Sequence, residues 1–416
     1  MNVIELARQE MHVLGPLYKE LHCKPETAFR ELETAARLTQ ELRAVGFTVT
    51  TGIGKTGIIG VLENGPGPVL LIRTDMDALP IKEQTGVSYQ SLETYTDEDG
   101  EVRPVMHACG HDIHMASFVG AARLLAGPLL YRWSGTLLML GQPAEEILSG
   151  AKAMLRDLAF DAQTRPTKVA HIPKPDAAVA MHIGPAGYVG TVGYRIGKDS
   201  WRVSFYEVIA EGAEGHAGNS TTFIDPSIVL LKIVAGLDSA DVMKINPAKI
   251  HFKKLTKRGE KAVALLGLKS LTDEQLSDLL QEIERCAAQT EQYYEGRVSV
   301  VLKPRTDIGA DVLVNDAQLA GEVVEAFKFA FKDQVVLNQE TGTPKGASED
   351  FANFGSELGI PIFRWGLGVR HPDDTDGSAP PRVHTSTILP DYEGAVPIGA
   401  SSFAVAAITI LSKKRK

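Results

Sequence analysis

Cysteine is scarce in this chain, with only Cys23, Cys109 and Cys286 among 416 residues. They stand far apart, form no disulfide framework, and fit a reducing compartment best. Long apolar runs are missing too: none approaches the ~18–20 residues of a membrane span. The opening Met1-Asn2-Val3-Ile4-Glu5 has no basic segment followed by an apolar core. No secretory signal is therefore expected, and the cytoplasm is the default location. Positive charge is in short supply, with a net charge of -9 and a pI near 5.7. A nucleic-acid partner, which needs a basic face, is excluded on that ground. The one dense basic run, Lys413 to Lys416, reads as a solvated tail.

What is present describes a globular enzyme-sized protein. Hydrophobic residues make up 44% and charged residues 23%, and the length exceeds one core, so two domains are expected. Leu32, Ala35, Leu38, Leu42 and Val45 recur at helical spacing, with Gly46 placed to stop the helix. Apolar runs at Gly57 to Leu62, Val69 to Ile72, Thr136 to Leu140 and Ala177 to Met181 alternate with helical stretches such as Ala116 to Leu125. That alternation predicts an α/β domain with a mixed, largely parallel sheet. Between about 195 and 305 the texture changes. Strands around Trp201 to Phe205, Ala262 to Leu268 and Val298 to Leu302 accompany two helices. One helix follows Asp225-Pro226 and the other, Glu274 to Ala288, follows a Thr272/Gln275 capping box. The expected organisation is a larger domain over 1–194 and 306–416 with a small α+β domain inserted over 195–305. Thr94 to Arg103 is polar and reads as an exposed loop.

Polar clusters sit just after the apolar runs: Asp75 and Asp77, then Glu145-Glu146, then His182. Ligands bind at the carboxyl ends of strands in open α/β sheets, so these clusters should converge. His107-Ala108-Cys109-Gly110-His111-Asp112-Ile113-His114 is the densest ligand run. Cys109 and His111, two apart, face one side if the stretch is extended, and both residue types bind borderline metals. A surface loop with chance histidines, or Cys109 as a nucleophile beside a His base, are the alternatives. Glu145-Glu146 suits one ligand and one general base, or simply an acidic helix start. Asp75 and Asp77 suit a turn, or the orientation of a ligating His. His182, His216 and His384 are each ambiguous alone.

Together these segments resemble the M20 metallopeptidase family, and within it the amidohydrolase branch. The match runs through Leu21-His22, Pro25-Glu26, Glu31 to Ala35, Arg73 to Pro80, His107 to His114 and Gln142 to Glu146. It continues through Met181-His182, Gly215-His216-Ala217, Asp225-Pro226, Ala347 to Phe351 and His384. The resemblance implies a zinc-peptidase-like catalytic domain carrying a ferredoxin-like lid. It implies two divalent ions, zinc or manganese, held by Cys109, His111, Glu146, His182 and His384. Glu145 would be the general base towards a metal-activated water, and Asp77 the acid that orients a ligand. Asp75 stands where many other branches carry a metal-binding His. His216 would polarise the scissile carbonyl from across a homodimer or higher homo-oligomer. The implied reaction is hydrolysis of the amide bond in an N-acyl amino acid or related small amide. A dipeptidase or carboxypeptidase activity, or a non-catalytic binder keeping the fold, are the alternatives. The lid departs from the branch in Ile245-Asn246-Pro247 and Gly267-Leu268-Lys269-Ser270, and single positions depart as well. Ser220 and Ser386 replace expected prolines, and Lys269 stands where an Arg would grip a carboxylate in bidentate fashion.

Overall fold

The computed structural model describes residues 2–158, 169, 172–213, 223–239, 249–258, 260–332, 336–338, 344, 348–371, 373 and 382–412. The chain divides into two compact units. One comprises 1–199, 314–343 and 350–416, and the other comprises 200–313 and 344–349.

The first unit is built on an eight-stranded sheet. Its middle is parallel: Gly135–Gln142, Val69–Asp75, Ala177–Tyr188 and Ile362–Arg370 lie side by side in that order. Gly57–Asn64 and Thr48–Ile53 extend one edge antiparallel, and Val192–Tyr194 and Val336–Asn338 extend the other. All seven residues of Val69–Asp75 are buried, as expected of a central strand covered on both faces. Register decides what meets at the sheet's carboxyl end. Asp75 pairs with Gln142, Arg73 with Ala180, and Gly366 with His182. Gln142 and Asp75, which end their strands, therefore stand at nearly one level with His182, which lies within Ala177–Tyr188.

Two buried helices cover one face. His111–Ala126 has fourteen of its sixteen residues buried, and Tyr392–Leu411 packs against it. They approach closely because Gly120 has no side chain: a Cβ there would lie 2.7 Å from Ala400 Cβ. Tyr392–Leu411 corrects the expectation that no apolar segment reaches span length. By length and composition it is apolar enough to cross a membrane, yet 78% of its apolar window is buried inside the protein. Gly, Ala and Ser interleaved with Ile, Val and Phe break up the apolar run without breaking the helix. The helix Leu32–Ala44 begins on Glu26, whose carboxylate accepts the N–H groups of Leu32, Glu33 and Thr34. That satisfies otherwise orphaned first-turn donors. Thr94 to Arg103 is not a bare loop but the core of a hairpin, Thr94–Thr96 against Val102–Pro104. Asp97 shapes its turn by accepting from the N–H groups of Asp99 and Glu101.

The second unit carries a four-stranded antiparallel sheet in the order Lys249–Arg258, Lys261–Ser270, Arg202–Glu211, Ser299–Ala310. Helices Pro226–Ser239 and Asp273–Tyr293 pack on it around Leu230, Ile233, Leu279 and Ile283. The chain order is βαββαβ, the ferredoxin-like arrangement. Thr272 caps its helix by accepting from the N–H of Gln275. The Gln275 side chain returns to the N–H of Leu271, one residue earlier than a standard capping box.

Gly120→Val should force the two buried helices apart. The expected loss is about 1–3 kcal/mol, seen as a lower thermal unfolding midpoint.

Candidate active site at the carboxyl end of the sheet

Cys109, Gly110 and His111 do not form an extended stretch. Gly110 is left-handed, with φ +76°, and His111 is the first residue of the helix. A Cβ on Gly110 would lie 2.4 Å from Ile183 Cδ1, so glycine is required by both backbone and space. The turn, rather than strand alternation, aims both side chains at one point. His111 Nδ1 lies 2.7 Å from the carbonyl oxygen of Asp77. A carbonyl only accepts, so Nδ1 carries the proton and Nε2 faces the site. His182 behaves likewise: Nδ1 donates to the Ile183 carbonyl at 2.8 Å, and Nε2 lies 3.4 Å from Cys109 Sγ.

The acidic members come from the loop after Gly135–Gln142. Glu146 Oε1 lies 3.9 Å from His111 Nε2, and Glu146 Oε2 lies 3.4 Å from His384 Nε2. Glu145 Oε2 is 4.0 Å from His111 Nε2. His384 is half exposed and has φ +62°. Its N–H bonds the Ala108 carbonyl at 2.7 Å, which pins it beside Cys109. Ser386 helps hold this segment: its carbonyl accepts from Gln84 N and its hydroxyl donates to Gln84 Oε1. Thus Cys109, His111, Glu145, Glu146, His182 and His384 meet, as overlapping triads with donor atoms within 4.8 Å of one another. His216, Ser220 and Ile245-Asn246-Pro247 lie outside the described residues. Lys269, in the second unit, places its Nζ 5.3 Å from the ring centroid of Trp201.

Asp77 stands behind this group in two roles. Its carbonyl orients His111, and its carboxylate accepts from the N–H of Glu145 at 3.1 Å and of Glu146 at 3.0 Å. Asp75 Oδ2 lies 3.7 Å from His111 Nε2, and Asp75, His111 and His114 form a further group of candidate ligands. Oδ1 bonds His114 Nδ1 at 2.7 Å and Oδ2 bonds Arg73 Nη1 at 2.7 Å. Burial opposes its charge, but His111, His114 and Arg73 hold its carboxyl well below the usual range. His114 Nε2 in turn accepts from the N–H of Ile183 at 2.8 Å, fixing the backbone next to His182. His114 belonged to the histidine-rich run but had no assigned role. Its i, i+3 spacing from His111 was the available signal. His107 is fully buried and kept neutral, its pKa pushed down to about 4 by burial.

The electrostatics favour a cation. Two buried atoms facing the group, His111 Nε2 and Glu146 Oε1, have no hydrogen-bond partner among the described residues. Such orphans are rare and call for a missing partner. Burial and the carboxylate of Glu146 push the Cys109 thiol well above its usual range. His111 draws the thiol down without overcoming burial, whereas a bound cation would stabilise its thiolate. Burial, with Asp77 adding repulsion, pushes Glu146 up to about 7 although His111 draws it down. The donor set of thiolate, imidazole and carboxylate fits divalent metal.

The model of peptidase family M20/M25/M40 matches residues 71–403. The chain belongs to that family. It is 28% identical over 411 residues to an IAA-amino acid hydrolase of Arabidopsis thaliana, covering 95% of this chain and 84% of the relative. It is 29% identical over 362 residues to the N-acetyl-L-cysteine deacetylase of Bacillus subtilis, covering 85% and 80%. These likenesses put it in the amidohydrolase branch of M20. The fold matches that of a Bacillus subtilis protein described as a dinuclear metal binding peptidase from the M20 family. There the TM-score is 0.70 and identity 24%, over 97% of this chain and 99% of that one.

Behind the M20 site, His22 bridges two buried carboxylates, with Nδ1 2.7 Å from Asp112 and Nε2 3.0 Å from Glu83. Burial works against its charge, but the bonds to Asp112 and Glu83 prevail and raise its pKa from 6.5 to about 9. Between those values the folded chain keeps a proton that the unfolded chain has released. Its stabilisation is complete below pH 6.5 and lost as pH rises through about 9. Unfolding free energy should therefore fall across that window, and His22→Gln should flatten the slope. Equal slopes in denaturant titrations would refute the assignment.

Proposed function

We propose that this chain is a metal-dependent amidohydrolase that cleaves the amide bond of an N-acyl amino acid or related small amide. The observation that carries this reading is the pair of orphaned buried atoms, His111 Nε2 and Glu146 Oε1, ringed by Cys109, His182 and His384. In this reading those five residues hold two divalent ions. Thiolate favours zinc, while the imidazole and carboxylate share also suits manganese. When bound, the ions supply Lewis-acid polarisation and lower the pKa of water.

The chain's own groups do the rest. Glu145 is nearly buried and is not needed as a ligand, so its carboxylate takes the proton of the attacking water and returns it to the departing amine. Asp77 keeps Glu145 in reach by holding its backbone N–H. The protonated Nδ1 of His111 and of His182 leaves each Nε2 lone pair for ligation. His216 is assigned to the substrate carbonyl, in a cytoplasmic homodimer or higher homo-oligomer. Relatives named for hydrolysing IAA-amino acids and deacetylating N-acetyl-L-cysteine support an acylated amino acid as the substrate class.

A panel of acyl-amino acids, dipeptides and aryl amides, assayed with zinc and with manganese, tests the substrate class. Chelation should abolish turnover and added divalent metal restore it. Glu145→Gln should retain bound metal and lose about 100-fold or more in kcat. Wild-type turnover in that variant would remove Glu145 from its role.

A further inference from the structure

Glu31 lies in the segment that opened the family resemblance, yet no step above uses it. Its side chain is fully buried. Oε1 accepts from the N–H of Phe29 at 3.0 Å and of Ala144 at 2.9 Å, while Oε2 accepts from the Thr56 hydroxyl. Burying a carboxylate is costly unless it is hydrogen-bonded. One of these bonds reaches 113 positions along the chain, to the loop that carries the site's two glutamates.

Ala144 is the anchor of that loop. Its φ is +52°, a left-handed conformation that costs a residue with a Cβ roughly 1–2 kcal/mol. Its carbonyl accepts from the N–H groups of Ser149 and Gly150, both at 3.1 Å, closing the loop on itself. The N–H groups of the next two residues, Glu145 and Glu146, go to Asp77. Three consecutive amides therefore end on two buried carboxylates, and the first of them is held by Glu31. Without that acceptor, the left-handed turn loses the bond that compensates its strain. Glu145 and Glu146 follow wherever Ala144 relaxes.

We propose that Glu31 is a positioning residue for the Glu145–Glu146 pair, acting through the Ala144 N–H. Its catalytic consequence rests on the function proposed above; its structural consequence does not. The hold is one of reach rather than charge. Burial and the nearby Asp77 push the Glu31 carboxyl up to about 7, and in either protonation state Oε1 can accept.

Two substitutions separate reach from charge. Glu31→Gln keeps an acceptor oxygen at the same distance and offers an N–H that the Thr56 hydroxyl can accept. Glu31→Asp keeps the charge but is one methylene shorter. Amide hydrogen exchange over residues 144–146 is read beside kcat and KM on an N-acyl amino acid. Glu31→Gln should retain the protection and most of kcat. Glu31→Asp should lose the protection and about 10- to 100-fold in kcat, with KM little changed. Wild-type protection and turnover in Glu31→Asp would overturn the proposal, as would a Glu31→Gln variant that falls equally far. Should Glu31→Asp not fold, Glu31→Gln decides alone: loss of protection there overturns the proposal and retention supports it. If the wild-type protein hydrolyses no amide, the functional reading fails, and exchange at 144–146 still decides the role of Glu31.

Discussion

Asp77 binds three parts of the site at one point. Its carbonyl accepts a hydrogen bond from His111 Nδ1–H, and its two carboxylate oxygens accept from the N–H groups of Glu145 and Glu146. The helix that begins with His111 and the loop that carries the glutamates are thereby fixed to the end of one central strand. The rest of the first unit can be understood as support for that point. The parallel strands set its level, and the buried helix His111–Ala126 makes its far side rigid. Two residues earlier in the chain, Asp75 is held by bonds from Arg73 and His114.

The same arrangement explains the site's electrostatics. Carboxylates gathered in a buried space repel one another, and burial disfavours each charge. Glu146 responds by rising to about 7, and Cys109 by holding its proton. Both shifts describe a cluster short of positive charge. Protons and divalent ions compete for such a cluster, so loading with metal releases protons. Asp75 accepts from Arg73 Nη1 on one carboxylate oxygen and from His114 Nδ1 on the other, so both of its oxygens are already hydrogen-bonded.

Much of this was legible in the sequence, but unevenly. Acidic residues directly after apolar runs mark strand ends at Asp75 and beyond Gln142, whereas His182 lies inside a strand that runs on to Tyr188; the register still brings Asp75, Gln142 and His182 level. Three strands and both helices of the βαββαβ unit could be read from strand texture and the Thr272 cap, but the strand Lys249–Arg258, rich in Lys and on the sheet's edge, gives no such pattern. The turn at Gly110 was read as tight, but its neighbours were read as extended. Alternation and a left-handed turn can aim two side chains alike, and spacing alone does not tell them apart. The hairpin around Asp97 was hidden because its turn is built by side-chain-to-backbone bonds in a polar stretch. The apolar helix Tyr392–Leu411 was hidden by its small residues. Glu31 and His22 act through contacts far along the chain, which no local pattern encodes.

The position of the Ile362–Arg370 strand has a kinetic consequence. It lies in the interior of the sheet, and Ile362 pairs with Ala178 although the second unit's residues 200–313 intervene in the sequence. Until it docks, Ala177–Tyr188 presents an unpaired, largely apolar edge, the kind of surface that recruits other chains. Long-range parallel pairing closes slowly. The assembly of this site is therefore also the period in which the protein is most exposed to aggregation, and completing the sheet ends it.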